Sequence, residues 1–200
     1  IDGGSVRMGS GSLSLLAGAD VLQRGASTIS NPNSHPSGSG SIDIQAGGRF
    51  VQESRSTIST RGSRAGDIRI EAVGDIVVSD VSAGAGAIGL RSTGGGLVEA
   101  SVLVAPDGTP LPAGNPYTGL NLTATEFAID VAQTVGGVGR HLAPIGISAG
   151  RLAVVAGGGA AITANGSVVI GEVSVSAKRV DFAQFGRARA LPALTVSGIG

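Results

Sequence analysis

The chain encodes an all-β fold, a right-handed parallel β-helix: a solenoid of about seven coils with two loop insertions. Three observations predict it. A unit of 29 residues repeats in register near the N-terminus. In it, Ser12-Leu-Ser-Leu-Leu-Ala-Gly18 aligns with Ser41-Ile-Asp-Ile-Gln-Ala-Gly47, Val21-Leu22-Gln23 with Phe50-Val51-Gln52, and Ser27-Thr28-Ile29-Ser30 with Ser56-Thr57-Ile58-Ser59. Within each unit the hydrophobic positions alternate with a period of two, as in a strand with one buried face. The composition agrees: 35 of 200 residues are Gly, and the 42% of hydrophobic residues include only 2% aromatics, which suits tight turns and a narrow aliphatic interior.

The first strand of each coil follows the pattern aliphatic-x-aliphatic-x-Ala. It starts at Leu13, Ile42, Ile68, Ile88 (a weaker form), Leu120, Ile145 and Val173, with separations of 29, 26, 20, 32, 25 and 28 residues. Such variation predicts a fixed strand joined by turns of changing length. Stacking should place Leu13, Ile42 and Ile68 in one inner column, Leu15, Ile44 and Ile70 in the next, and Ala17, Ala46 and Ala72 at a tight corner. Outside, Asp43 should lie beside Arg69, and Gln45, Glu71 and Arg91 should form a neighbouring column of exposed surface pairs.

A second short strand is expected at Val21-Leu22, Phe50-Val51, Ile76–Val78 and Leu152–Val154, and a third around Ile29, Ile58, Val81 and Val168–Ile170. Gly and Ser separate them. No long i, i+3, i+4, i+7 pattern survives between the glycines, so no helix is expected. Coils would stack about 4.8 Å apart, and the crossover rule sets the right hand. A β-sandwich or barrel also uses short strands and many glycines, but it would want hairpin turns and would rarely keep one register over 29 residues.

Two stretches break the coil pattern. Residues 105–119 hold four of the eight prolines and the sole tyrosine, and residues 132–144 hold Arg140 and His141. The well-patterned coils therefore span 3–104 and 118–182, in one repeat segment, 1–200, of a longer chain. After Phe182 the pattern weakens, and the last coil should be imperfect.

Function is constrained mostly by exclusion. The 14 basic residues balance 14 acidic ones, which argues against a nucleic-acid binder or a membrane-surface module. No apolar run is long enough for a membrane-spanning helix. Without Cys there is no disulfide, thiolate metal site or thiol nucleophile. His35 and His141 stand alone in loops, so neither a metal nor a cofactor is expected. The triple glycines at 94–96 and 157–159 lack the Lys-Ser/Thr of a phosphate loop.

Three features are candidates for binding or chemistry. Asp67, Asp75 and Asp80 are close in sequence, and a glycoside-cleaving site needs two carboxylates about 5 to 9.5 Å apart. Arg55, Arg61 and Arg64 cluster around one turn, either as a solvated edge or as a patch for acidic glycans. Loops on a rigid scaffold usually carry binding, so the expected ligand contacts are Asp107, Asn115, Tyr117, Arg140 and His141.

The segments Gly40-Ser-Ile-Asp-Ile-Gln-Ala-Gly-Gly48 and Gly66-Asp-Ile-Arg-Ile-Glu-Ala-Val-Gly74 resemble the shaft repeats of filamentous-haemagglutinin-like exoproteins of the two-partner secretion type. The resemblance implies a right-handed β-helix, export through an outer-membrane transporter, and a secreted or cell-surface location on a bacterium. It also implies a non-enzymatic role as an adhesin shaft, with a host or bacterial surface glycan or receptor as partner. The family's secretion domain carries Asn-Pro motifs with a following Gly. Asn31-Pro32-Asn33-Ser34 matches only in part, which places this chain in the shaft. The alternative is a β-helical module that binds or cleaves a polysaccharide.

Overall fold

The computed structural model describes residues 1–9, 11–32, 40–61, 65–100, 122–136, 144–181 and 187–200. Among them there is no α-helix. In chain order the strands are β1 (Ser5–Arg7), then β2 (Leu13–Ala17), β3 (Val21–Gln23) and β4 (Thr28–Pro32). Two like triplets follow: β5 (Ile42–Ala46), β6 (Phe50–Gln52) and β7 (Thr57–Arg61), then β8 (Ile68–Ala72), β9 (Ile76–Val78) and β10 (Asp80–Ser82). Next come β11 (Ala87–Ser92), β12 (Leu97–Glu99), β13 (Leu122–Thr123), β14 (Glu126–Val131), β15 (Ile145–Ser148), β16 (Arg151–Ala156), β17 (Ile162–Ala164) and β18 (Val169–Ile170). Last are β19 (Val173–Val175), β20 (Lys178–Asp181), β21 (Arg187–Ala190) and β22 (Leu194–Val196).

Strands β1 to β18 form three parallel sheets. The first runs β2-β5-β8-β11-β14-β16-β18, the second β3-β6-β9-β12, and the third β1-β4-β7-β10-β13-β15-β17. Each triplet contributes one strand to each sheet in turn, so the sheets are stacked by chain order. This arrangement of parallel strands in stacked sheets is compatible with a β-helix or solenoid. Isolated bridges from Leu97 to Val135 and from Val135 to Ala160 carry the second sheet two rungs further.

The inner columns hold like residues. Leu13, Ile42, Ile68, Ile88, Phe127, Leu152 and Ile170 are in register, as are Leu15, Ile44, Ile70, Leu90, Ile129 and Val154. Ala17, Ala46 and Ala72 occupy the corner, as their alternation predicts. Most of these side chains join one continuous core, in which Phe50 and Phe127 are the largest fully buried groups. Stacked rungs also explain the glycines. A Cβ on Gly47 would lie 2.4 Å from the Gly18 carbonyl oxygen, and one on Gly66 would lie 2.2 Å from that of Gly40.

Four assignments shift relative to the sequence expectation. Leu120–Ala124 and Ile145–Ala149 do not continue the first sheet; their strands β13 and β15 pair with β10 and β17 in the third. The first-sheet rungs are supplied by β14 and β16, so Leu152–Val154 is not a second strand. Val168–Ile170 is not a third strand either, because β18 pairs with β16. Alternation identifies a strand with one buried face but not which sheet owns it, and both sheets bury aliphatics at every second residue.

The fourth shift concerns Val173–Val175, expected as a seventh coil. Instead β19 runs antiparallel to β22, and β20 runs antiparallel to β21. This arm folds over the outside of the first sheet. Val173, Val175, Leu194 and Val196 pack on Ala87, Ala128 and Ala153. The outer column is small here: a Cβ on Gly89 would come within 3.2 Å of both Val175 and Leu194. The last residues return to the sheet, where Val154 N–H donates to Gly198 O at 2.7 Å and Ala156 N–H to Gly200 O at 3.0 Å. They occupy edge positions that β18 leaves unpaired, the usual need of an open sheet.

Candidate functional site

The five predicted contact residues, Asp107, Asn115, Tyr117, Arg140 and His141, lie outside the described residues, as do His35 and Arg64. Arg55 and Arg61 do not cluster at one turn. They flank the two ends of β7, with Arg55 in the left-handed region at φ 68°. Nor do the three aspartates form a pair. Asp67 precedes β8, Asp75 precedes β9 and Asp80 opens β10, so each serves a different sheet. Asp67 accepts from Ala87 N–H at 2.9 Å and Ser176 N–H at 3.3 Å, and Asp75 accepts from Gly96 N–H at 2.9 Å. These are turn acceptors that join neighbouring rungs.

The outer ladder of the first sheet is in the expected register, with Asp43 opposite Arg69, and Glu71 between Gln45 and Arg91. It is not an exposed surface. The arm covers it, leaving Asp43 with 0% and Arg69 with 7% exposure. Asp43 pairs with Arg179 of β20, whose Nε and Nη2 donate at 2.8 and 3.3 Å. Arg69 donates through Nε to Glu71 on its own strand at 3.0 Å and through Nη1 to the Pro192 carbonyl. The expectation of surface pairs is therefore corrected: two charges are buried because a segment beyond the repeat closes over them. Only Arg91 keeps an exposed partner, Asp130, at 3.4 Å.

At the seam between arm and sheet lies a cleft of about 140 Å³, lined by Ser41, Gly66, Asp67, Ser176 and Lys178 among others. Ser41 Oγ accepts from Lys178 N–H at 2.9 Å and bonds Ser12 Oγ at 3.1 Å. Burial pushes the Asp67 carboxyl above its ordinary range, against the opposing pull of the Ala87 and Ser176 amides. No base stands beside Ser41, and its hydroxyl is spent on holding β20 in place.

The third sheet presents a different surface. Val6, Ile29, Ile58 and Val81 point inward, so their neighbours point out. One outer column reads Ser5, Thr28, Thr57, Asp80; the next reads Arg7, Ser30, Ser59, Ser82, Thr123, Ser148. The Thr57 and Thr28 hydroxyls are 3.3 Å apart. A shallow groove of about 270 Å³ runs over this face, lined by Arg7, Thr28, Ser30, Thr57, Ser59 and Arg61. Asp80 sits at its edge, with a carboxyl raised by burial and drawn back down by the nearby Arg61 charge. Neither Arg7 nor Arg61 forms an ion pair with any described residue, whereas Arg24, Arg49, Arg69, Arg91, Arg151 and Arg179 each do.

Sequence reasoning missed Arg179 and this hydroxyl face. For Arg179 no local signal exists, because its partner lies 136 residues away. For the face the signal was present: Thr28-Ile-Ser30 and Thr57-Ile-Ser59 repeat at the 29-residue offset, with Ser at the same outer position in Asp80-Val-Ser82. Among the described residues no group of three His, Cys, Asp or Glu is placed to hold a metal ion. No helix of the described residues is long and apolar enough to cross a membrane. Compared with protein-family models, curated proteins and solved structures, the chain matches none.

Proposed function

We propose that the chain is a stretch of right-handed parallel β-helix that serves as a non-enzymatic shaft in a bacterial surface-exposed or secreted exoprotein of the filamentous-haemagglutinin-like kind. The observation that carries this reading is the in-register stacking of like residues through three parallel sheets. Stacked ladders make a stiff body whose length grows with each rung, at about 4.8 Å per rung. Coil-to-coil polar ties support the same role. Asp20 binds the Arg49 amide at 2.7 Å and its guanidinium at 3.0 Å, and Arg24 pairs with Glu53 at 3.4 Å, each one 29-residue unit apart in register or nearly so. Export through an outer-membrane transporter and display at the cell surface belong to the same proposal.

The polysaccharide-cleaving alternative has less support, because Asp67, Asp75 and Asp80 face different corners and two of them hold backbone amides. Native gels cast with bacterial and host polysaccharides test the two together, stained for protein and for glycan. A shaft leaves the glycan intact. A cleared zone around the migrating protein overturns the non-enzymatic reading. Antibody against the purified chain should also label intact cells of the source bacterium and lose that label after protease shaving; labelling only in lysates overturns surface display.

A further inference from the structure

The geometry of the third sheet points to a binding site of its own, and we propose that its outer face holds a linear polysaccharide bearing uronate carboxylates. This goes beyond the shaft role and needs only the stacked rungs, not export or adhesion. The argument begins with charge. Six arginines of the described residues have carboxylate partners, and the chain as a whole is neutral. Arg7 and Arg61 are exposed, have no such partner, and line one groove. A free guanidinium fork is suited to bidentate contact with a planar carboxylate.

Spacing follows from the register. Arg7 lies opposite Ser30, Ser30 lies opposite Ser59, and Arg61 is two residues beyond Ser59. Two rungs up and two residues along place the arginine backbones roughly 12 Å apart. That is close to the length of an extended disaccharide, so successive or alternate uronates can meet both forks. Between them lie four hydroxyls, on Thr28, Ser30, Thr57 and Ser59. Each can donate one hydrogen bond and accept two, which matches the mixed donors and acceptors of sugar hydroxyls. No aromatic side chain lines the groove, so recognition rests on charge and hydroxyls and not on ring stacking. Asp80 ends the anionic footprint on the next rung, where it can accept from a sugar hydroxyl but repels a carboxylate.

The test uses the full 200-residue chain and three probes in affinity gels and calorimetry: polygalacturonate, neutral dextran and dextran sulfate. Polygalacturonate should bind, dextran should not, and dextran sulfate should bind more weakly than polygalacturonate. The double variant R7Q/R61Q should weaken polygalacturonate binding by about tenfold or more, as expected for loss of charge-assisted contacts. Asp80→Asn should strengthen it, a change of opposite sign on the same face. Arg7 and Arg61 are exposed, so the double variant should keep the wild-type unfolding midpoint, which is measured alongside. Failure of polygalacturonate to bind overturns the proposal. So does binding that the double variant leaves unchanged. Tighter binding of dextran sulfate also overturns it, since the site would then be a general polyanion surface.

Discussion

Replacing Arg179 with Met should open the arm without unfolding the stack. Asp43 has no exposed surface, and both of its oxygens are held by Arg179. Met keeps part of the aliphatic stem but removes the cation, leaving a carboxylate that is buried and uncompensated. Breaking a buried pair by removing one partner costs about 3–5 kcal/mol. The Arg179 side chain is 23% exposed, so solvent already screens it in part, and the lower end, about 3 kcal/mol, applies. The stack need not bear that cost. Lifting β20 returns Asp43 to water, and the arm is held elsewhere by only four buried aliphatic side chains, Val173, Val175, Leu194 and Val196. Native-state hydrogen exchange resolves the two cases. Amides of β19 to β22 should lose protection by about 100-fold, the equivalent of about 3 kcal/mol, while those of β5 and β8 stay near wild type. Adding Asp43→Asn to Arg179→Met should restore most of the protection. A uniform loss across stack and arm would refute local opening, and a loss under about tenfold in the arm would refute the buried pair as its latch.

Three further outcomes follow from the same structure. Gln52 is fully buried, donates to Ser56 O at 2.9 Å and Asp80 O at 3.0 Å, and accepts from Ser79 N–H at 2.8 Å; Gln52→Leu should cost about 3 kcal/mol in urea unfolding. Its register partner Gln23 makes only the two donor bonds, so Gln23→Leu should cost less, and equal or reversed losses would contradict this accounting. Gly66→Ala forces a methyl against the Gly40 carbonyl and should destabilise by about 1–3 kcal/mol, whereas Gly18→Ala meets nothing within 4 Å and should change stability by under about 0.5 kcal/mol. Burial raises the folded Asp67 carboxyl above its unfolded value near 3.9, so the folded state holds the extra proton between those values. Its contribution is present in acid and lost as pH rises through the folded value; Asp67→Asn should therefore gain on wild type as pH climbs from about 4 to 7, and parallel stability curves would exclude the effect.

The part of the fold that was legible in the sequence is the part where turns are short and constant. From Leu13 to Ser92 the inner columns match the expected register residue for residue, because the 29-residue repeat ties strand to strand. Beyond residue 100 that tie breaks. Leu122 and Ile147 alternate as first-sheet strands would, yet the third sheet owns them, since period two is common to both. The mark that does separate the sheets is what lies outside. Gly89, Ala128 and Ala153 are small because the arm packs on them, a contact between elements distant in sequence that no local pattern announces. The same cause hid the buried state of Asp43 and Arg69: a ladder of opposite charges reads as surface until something covers it. The predicted contact loops lie outside the described residues, so the candidate site rests on the Thr-Ile-Ser repeat, which was visible as a repeat but not as a surface.

The three outer faces differ in what they leave for a ligand. The first is closed by the arm, which turns its charged ladder into interior. The second points Leu22, Val51, Val77 and Val98 outward, an aliphatic strip that offers no hydrogen bonds, and three of these valines gather in a small cluster of their own. The third alone carries rows of hydroxyls with unpaired cations at two corners of the groove. Stack stability does not require this. A third-sheet strand needs an inward aliphatic and tolerates many outward residues, so repeated Thr and Ser beside free arginines are not dictated by packing. Along the neighbouring rungs the exposed charges are matched, as in Arg91 with Asp130 and Arg151 with Glu126 at 3.4 and 3.8 Å. An unmatched pair on an otherwise matched body is where an external anion gains most. A stack that is stiff, neutral and closed on its other described faces therefore directs polar recognition to one side, and the ladder sets the spacing of whatever binds there.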